Sequence, residues 1–176
     1  MKGDEFGFAG LAKNIKNDGI KMKNEIIRLE ELRVKIIEWA DEKGILKKAT
    51  PEKQFLKFIE ETGELAKAIL KSDSHEFIDA VGDVFVTIVI HAELCNFKLN
   101  IPLKGFGNRV AESISSMVMN IEGNEYRLGI EDLYDLYEAE RSLSNNHSFA
   151  DCVEVAYNVI AGRTGKMVNG TFVKDR

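Results

Sequence analysis

The amino-acid sequence predicts an all-α fold: a helical bundle built on an antiparallel helix hairpin, with a short C-terminal tail that reads as a β-hairpin. Three observations carry this expectation. Apolar residues recur at three- and four-residue steps through most of the chain beyond residue 24. Thr50-Pro51-Glu52 combines an N-cap, a proline suited to the first helical position and an acid that favours the helix dipole. Only the last stretch, GRTGKMVNGTFVKDR, changes period, with short β-prone runs on either side of Asn169-Gly170.

Residues 1–22 show no sustained period and read as a loosely ordered leader. Residues 23–176 read as one helical domain whose tail begins near 162. In the first helix Leu29, Leu32, Ile36 and Trp39 share a face, Asn24 is the expected N-cap, and Gly44 marks the end. The second helix starts at Pro51 and turns Phe55, Ile59, Thr62, Ala66 and Ile69 to one side. SDSHE (72–76) breaks it, with Ser74 as the expected cap of a third helix. That third segment, EFIDAVGDVFVTIVIHAEL, has a β-branched run that also fits a buried strand. Its acids recur at helical steps and it continues into HAEL, which favours a helix. As a helix it is apolar all round over 84–90 and belongs in the middle of the core. Further helical patterns lie near 109–121, 130–143 and 149–161, with EGNEYRLG as a turn-rich connection.

The chain has 176 residues, 30% of them charged, and a net charge of −5. That balance does not suit nucleic acid or an anionic membrane surface. The run VFVTIVI is too short to span a bilayer. The two cysteines, Cys95 and Cys152, lie far apart and form no CxxC pair, so free thiols and a cytoplasmic location are expected.

The chemistry concentrates in the second and third helices. Glu60, Glu61 and Glu64 crowd one helix, and no base stands four residues on from any of them. Like charges at i,i+4 repel by a few tenths of a kcal/mol. A solvated face explains such a cluster in many helices, but here Phe58, Leu65, Leu56 and Leu70 leave only a narrow polar strip. On the third helix Glu76, Asp79 and Asp83 fall within about 60° of one another. Asp83 opens directly onto the apolar run, where an unpaired carboxylate costs several kcal/mol; an ion pair from another element is one remedy. Facing each other across a hairpin, the two acidic faces make an all-oxygen donor set suited to Mg²⁺ or Mn²⁺, an ion that completes its shell with substrate phosphates.

These residues resemble a known family. EETGEL (60–65) followed by DAVGDVFVTI (79–88) is similar to the MazG-like all-α nucleoside triphosphate pyrophosphohydrolases, marked by EExxE on one helix and ExxD on the next. The phage-type branch is the nearest: its QxxKxxEExxEL helix is matched by Gln54, Lys57, Glu60, Glu61, Glu64 and Leu65. Its tail, NxxxxRxGKxVxGxFVK, is matched by Asn158, Arg163, Gly165, Lys166, Val168, Gly170, Phe172, Val173 and Lys174. The resemblance covers about residues 30–96 and 150–174. One position departs: Ala80 stands where the family's glutamate precedes Asp83, so Asp79, or Glu76 as helper, is expected to take that role.

The resemblance implies Mg²⁺-dependent hydrolysis between the α and β phosphates, yielding a nucleoside monophosphate and pyrophosphate. It implies Glu61, Glu64, Asp79, Asp83 and Glu76 as metal ligands and Glu60 as the group that orients or deprotonates water. Lys57, Asn158, Arg163 and Lys166 would hold phosphate, and Trp39 would either stack on the base or serve the core. A dUTP-restricted hydrolase is a variant of this reading. A non-catalytic binding or scaffold protein is the alternative, kept open by Ala80. A di-iron carboxylate bundle is disfavoured because none of His75, His91 and His147 follows a glutamate by three residues. One helical hairpin is thin cover for the core helix, so a homodimer or homotetramer is expected.

Overall fold

A computed structural model describes the backbone of residues 5–101 and 110–175, and the side chains of 19–101 and 110–175. The fold is all-α: α1 (Glu5–Glu42), α2 (Ile45–Lys48), α3 (Pro51–Lys71), α4 (Ser74–Leu94), α5 (Val110–Glu122), α6 (Tyr126–Ala139) and α7 (Phe149–Ala161). A 3₁₀ turn (Arg141–Ser144) follows α6, and the strands β1 (Gly165–Val168) and β2 (Thr171–Lys174) form the tail.

Helix α4 is the centre. Every residue from 84 to 90 is buried, and the helix is packed by α1, α3, α6 and α7. The all-round apolar run is therefore a core helix rather than a strand. Its one interior hydroxyl, Thr87 Oγ1, donates to the Val84 carbonyl oxygen at 2.7 Å, so burial leaves no orphan there. Helices α3 and α4 form the expected hairpin, joined only by Ser72 and Asp73. Ser72 ends α3 in the left-handed region at φ 51°. Asp73, not Ser74, caps α4: its Oδ1 accepts from the His75 and Glu76 amides, both at 3.1 Å. Both residue types cap well. The left-handed turn at Ser72 makes the connection so short that the aspartate reaches the position first.

Helix α1 corrects the reading of the N-terminal stretch. It runs unbroken from Glu5, so residues 5–22 are helical rather than a loose leader, and Asn24 lies inside the helix rather than at its cap. Extending an anchored helix costs far less than nucleating one. Leu29, Leu32, Ile36 and Trp39 anchor it in the core, and Met22 and Ile26 still pack against that core from its edge. The loop positions in 102–109 lie outside the described residues.

Helix α6 starts at Tyr126, four residues before the expected 130, and only 123–125 of EGNEYRLG remain a turn. Tyr126 is fully buried and its hydroxyl donates to Asn124 Oδ1 at 2.8 Å. The ring is thereby held in the core and the helix begins with it. Helix α7 has the expected bounds and a capping box between Ser148 and Asp151. The tail is the expected hairpin: Asn169 (φ 48°) and Gly170 (φ 77°) are both left-handed, as a type I′ turn requires, and Val168 pairs with Thr171.

The buried face of α3 differs from the expected one by about a quarter turn. Gln54, Phe58, Glu61, Thr62, Leu65 and Ala68 are buried, while Ile59 is exposed and Phe55, Ala66 and Ile69 sit at the margin. Apolar residues surround so much of α3 that periodicity alone has no single maximum. Contact with α4 selects the stripe, and that selection carries Glu61 inward.

Candidate active site

A cavity of about 130 Å³ opens between the hairpin of α3 and α4, the end of α1 and the C-terminal tail. Its position follows from helical spacing. On α3, Lys53, Gln54, Lys57 and Glu61 share one side, and on α4 Asp83, Val86, Thr87 and Ile90 do the same. Trp39 arrives from α1, Ile160 from α7, and Arg163, Met167 and Phe172 from the tail. One end is thus apolar and the other carries both signs of charge.

The apolar end is walled by Trp39, whose ring meets Phe172 edge-on at 5.9 Å between centroids. Trp39 is 8% exposed, and its indole Nε1 is buried with no hydrogen-bond partner. A buried donor without an acceptor is uncommon and points to a group that the chain itself does not supply. Gln54 Nε2 donates to the Thr87 carbonyl oxygen at 3.4 Å, fixing the amide beside the same wall. The tail hairpin is held in place by Lys53, whose Nζ donates to the Asn169 carbonyl oxygen. Gly165 allows the two strands to close: a Cβ there would lie 2.3 Å from the Val173 carbonyl oxygen.

At the charged end, Glu61 is buried to 6% exposure. Lys57 Nζ bridges Glu61 Oε1 at 2.6 Å and Glu60 Oε2 at 2.9 Å. The base that balances the acids therefore stands three and four residues before them rather than after, where helical neighbours are equally close. Burial raises the Glu61 carboxyl above its usual range, against the pull of Lys57. Burial also pushes Asp83 up to about 7, with Glu61 and Asp79 adding repulsion and Arg163 and Lys57 opposing it. Burial first, and repulsion from Glu61 second, thus leave Asp83 partly protonated near neutral pH, and burial raises Glu61 in the same direction. Replacing Lys57 by Met removes a cation from both: the Asp83 and Glu61 carboxyls are expected to titrate higher still. Carboxyl-carbon NMR titration in chelator, wild type against variant, checks the direction.

The structure brings five of the sequence-predicted residues to this cavity: Trp39, Lys57, Glu61, Asp83 and Arg163. Asp79, half-buried one turn earlier on α4, acts on Asp83 through charge. Glu64 is exposed and raises Glu61 in the same way. Glu60 is exposed and engaged by Lys57. Glu76 is exposed in the first turn of α4 and does not line the cavity. Lys166 alternates with Met167 along β1 and so faces away from it. Asn158 lines a separate depression with Asn145, Asn146 and His147. Lys53, Gln54 and Thr87 line the cavity without having been singled out as site residues. Gln54 was legible only as the glutamine that opens the QxxKxxEExxEL stretch, and nothing in the sequence pointed to Lys53 or Thr87.

Among the described residues, no three acids stand together closely enough to enclose a metal ion. The donor chemistry still fits a hard divalent cation. Glu61 and Asp83 are oxygen donors raised in energy by burial and mutual repulsion, with Asp79 and Glu64 alongside, and a cation relieves both costs.

A helical hairpin that presents acids beside a half-apolar, half-charged cavity defines a class of nucleotide-handling all-α domains. Residues 49–114 match the family model of the MazG nucleotide pyrophosphohydrolase domain. The match includes all the acids of α3 and α4 and supports nucleotide pyrophosphohydrolase chemistry as a class. Trp39, Arg163 and Phe172 lie outside it. The chain is also 38% identical over 65 residues to an uncharacterized 18.2 kDa protein of the rep-hol intergenic region of Haemophilus phage HP1. That alignment covers 37% of this chain and 40% of the phage protein, about two-fifths of each. No solved structure matches. Among the described residues, no helix is long and apolar enough to cross a membrane.

Proposed function

We propose that the chain hydrolyses nucleoside triphosphates, ribo, deoxy or non-standard, between the α and β phosphates, releasing a nucleoside monophosphate and pyrophosphate. The observation that carries this reading is the joining of an unpartnered indole donor and an apolar wall to the inward pair of buried Glu61 and half-buried Asp83 within one cavity. The base occupies the Trp39 end, where the Nε1–H meets an acceptor on the ring or sugar. Lys57 and Arg163 meet phosphate oxygens at the other end. Glu61 and Asp83, helped by Asp79 and Glu64, would hold Mg²⁺, or Mn²⁺ in its place, which would supply charge neutralisation to the triphosphate and electrophilic activation at the attacked phosphorus. Substrate phosphates compete for Lys57, which releases Glu60 to orient or deprotonate the attacking water. Free Cys95 and Cys152 suit a reducing cytoplasm, where nucleotide pools lie.

The second reading, a helical binding or scaffold protein that retains the fold, is favoured by Ala80 at the motif position and by the Lys57 bridge that occupies Glu61. A panel of ribo- and deoxynucleoside triphosphates assayed for pyrophosphate release with Mg²⁺ separates the two. Turnover yielding pyrophosphate is expected, and activity confined to dUTP would identify the restricted variant. Release of orthophosphate alone would place the cleavage elsewhere. No turnover with any substrate would favour the scaffold.

A further inference from the structure

The tip of the tail hairpin is the chain's only Asn-Gly pair. Asn169 is exposed, and both turn residues are left-handed, at φ 48° and φ 77°. The ladder pairs Val168 with Thr171 across the turn, so the Gly170 amide N–H lies outside it. A glycine nitrogen is also little hindered as a nucleophile, because no Cβ stands beside it. The turn rests on the start of α3. Lys53 Nζ donates to the Asn169 carbonyl oxygen. A Cβ on Gly170 would lie 3.2 Å from that same Nζ and 3.2 Å from the Lys48 carbonyl oxygen. The oxygen that Lys53 holds belongs to the peptide group whose nitrogen is Gly170 N. An ammonium hydrogen-bonded to that oxygen stabilises negative charge spread over the peptide group. Removal of the Gly170 amide proton is thereby eased.

We propose that Asn169 is a self-modifying site, converted to aspartate and isoaspartate with Lys53 as the activating group. Hydroxide removes the Gly170 amide proton, and the nitrogen attacks Asn169 Cγ. The new N–Cγ bond closes a five-membered succinimide. The bond from Cγ to the side-chain nitrogen breaks, and ammonia leaves with a proton taken from water. Water then opens the ring. Opening at Cγ gives aspartate, and opening at the main-chain carbonyl gives isoaspartate. In isoaspartate the main chain runs through Cγ and gains one carbon. A two-residue I′ turn has no room for that carbon between Val168 and Thr171. Met167 and Phe172, the next pair along the strands, line the cavity, and Phe172 meets Trp39. Conversion therefore loosens the apolar wall. None of these steps involves the carboxylates of α3 and α4.

The folded full chain, held in mildly alkaline buffer and sampled over days, is digested for peptide mass spectrometry with electron-transfer fragmentation, which tells isoaspartate from aspartate. Asn169 is expected to convert ahead of every other asparagine. Lys53→Met should slow conversion by about 10-fold, the weight of one hydrogen bond to a charged group. Lys53→Arg, which can still donate, should keep most of the rate. In denaturant, wild type and Lys53→Met should convert equally, because Lys53 no longer stands at the turn. Lys53→Ala takes the place of Lys53→Met if the latter fails to fold. Trp39 is the chain's only tryptophan, and its emission should shift to the red as isoaspartate accumulates. An Asn169 that stays an amide in the folded chain overturns the proposal. So does a folded Lys53→Met that converts as fast as wild type. Tryptophan emission unmoved by full conversion would refute the loosening of the wall.

Discussion

Asp83→Asn is expected to abolish Mg²⁺-dependent turnover and, in the metal-free protein, to raise the melting temperature. The two effects have one cause. Asp83 sits half-buried midway along α4, just before its fully buried run, with a carboxyl pushed up to about 7, chiefly by burial. Losing the ligand removes several kcal/mol of charge stabilisation. About 4 kcal/mol corresponds to about a thousandfold in rate. For stability, the folded protein keeps a proton that the unfolded chain releases near 3.8. Stability of the metal-free protein therefore falls as pH rises from about 4 to about 7 and levels off above, by at most about 4 kcal/mol. Asparagine keeps the shape without the charge. At pH 8 in chelator the variant should be more stable by about 2 kcal/mol, or about 4–8 °C. At pH 4 the advantage should vanish. Glu64→Gln should likewise abolish turnover, yet change stability by less than about 0.5 kcal/mol because Glu64 is exposed. Near-normal turnover in both variants would refute the ligand assignment, and a melting temperature that drops at pH 8 in Asp83→Asn would refute the buried-charge account. Pyrophosphate release and calorimetry at the two pH values supply both readouts.

The second large effect is expected one residue earlier. Gly82 is where α4 meets α7 most closely: a Cβ there would lie 2.4 Å from the Cys152 carbonyl oxygen and 2.5 Å from Ala156 Cβ. Neither obstacle is a flexible side-chain end. In Gly82→Ala the helices must part, which is expected to cost about 3 kcal/mol and lower the melting temperature by about 6–12 °C, although alanine is the better helix former. Because Asp83 on α4 and Arg163 just beyond α7 flank the cavity, the same displacement should weaken nucleotide binding. Thermal unfolding and calorimetric titration of a non-hydrolysable nucleotide check the two parts. A melting temperature at or above that of wild type would mean the helices do not meet as described. The glycine in the DxxGD stretch is thus a packing residue beside the acid it precedes.

Much of this was legible in the chain. Local signals are short-ranged, so the Thr50-Pro51 start and the Asn169-Gly170 turn both stand where their residues put them. The candidate acids of α3 and α4 were legible too, because like charges at helical spacing beside an apolar run call for a counterion. Less legible were matters of degree. Asn24 looks like a cap but lies within α1, since an anchored helix extends cheaply past a missing start signal. Which stripe of α3 is buried depended on α4, because α3 is apolar around most of its circumference.

By itself, then, the sequence determined the helical hairpin, the centrality of α4 and the placing of acids on both helices of the hairpin, all of which follow from residue type at fixed spacing along a helix. Only the tertiary structure decided that Glu61 turns inward beside Asp83, that Lys57 bridges Glu60 and Glu61, and that Trp39 and Arg163 meet across one cavity while Lys166 and Asn158 face elsewhere. Those facts rest on the rotation of each helix about its axis and on the folding back of the tail. Both are set by packing between residues distant in the chain, which no local pattern encodes.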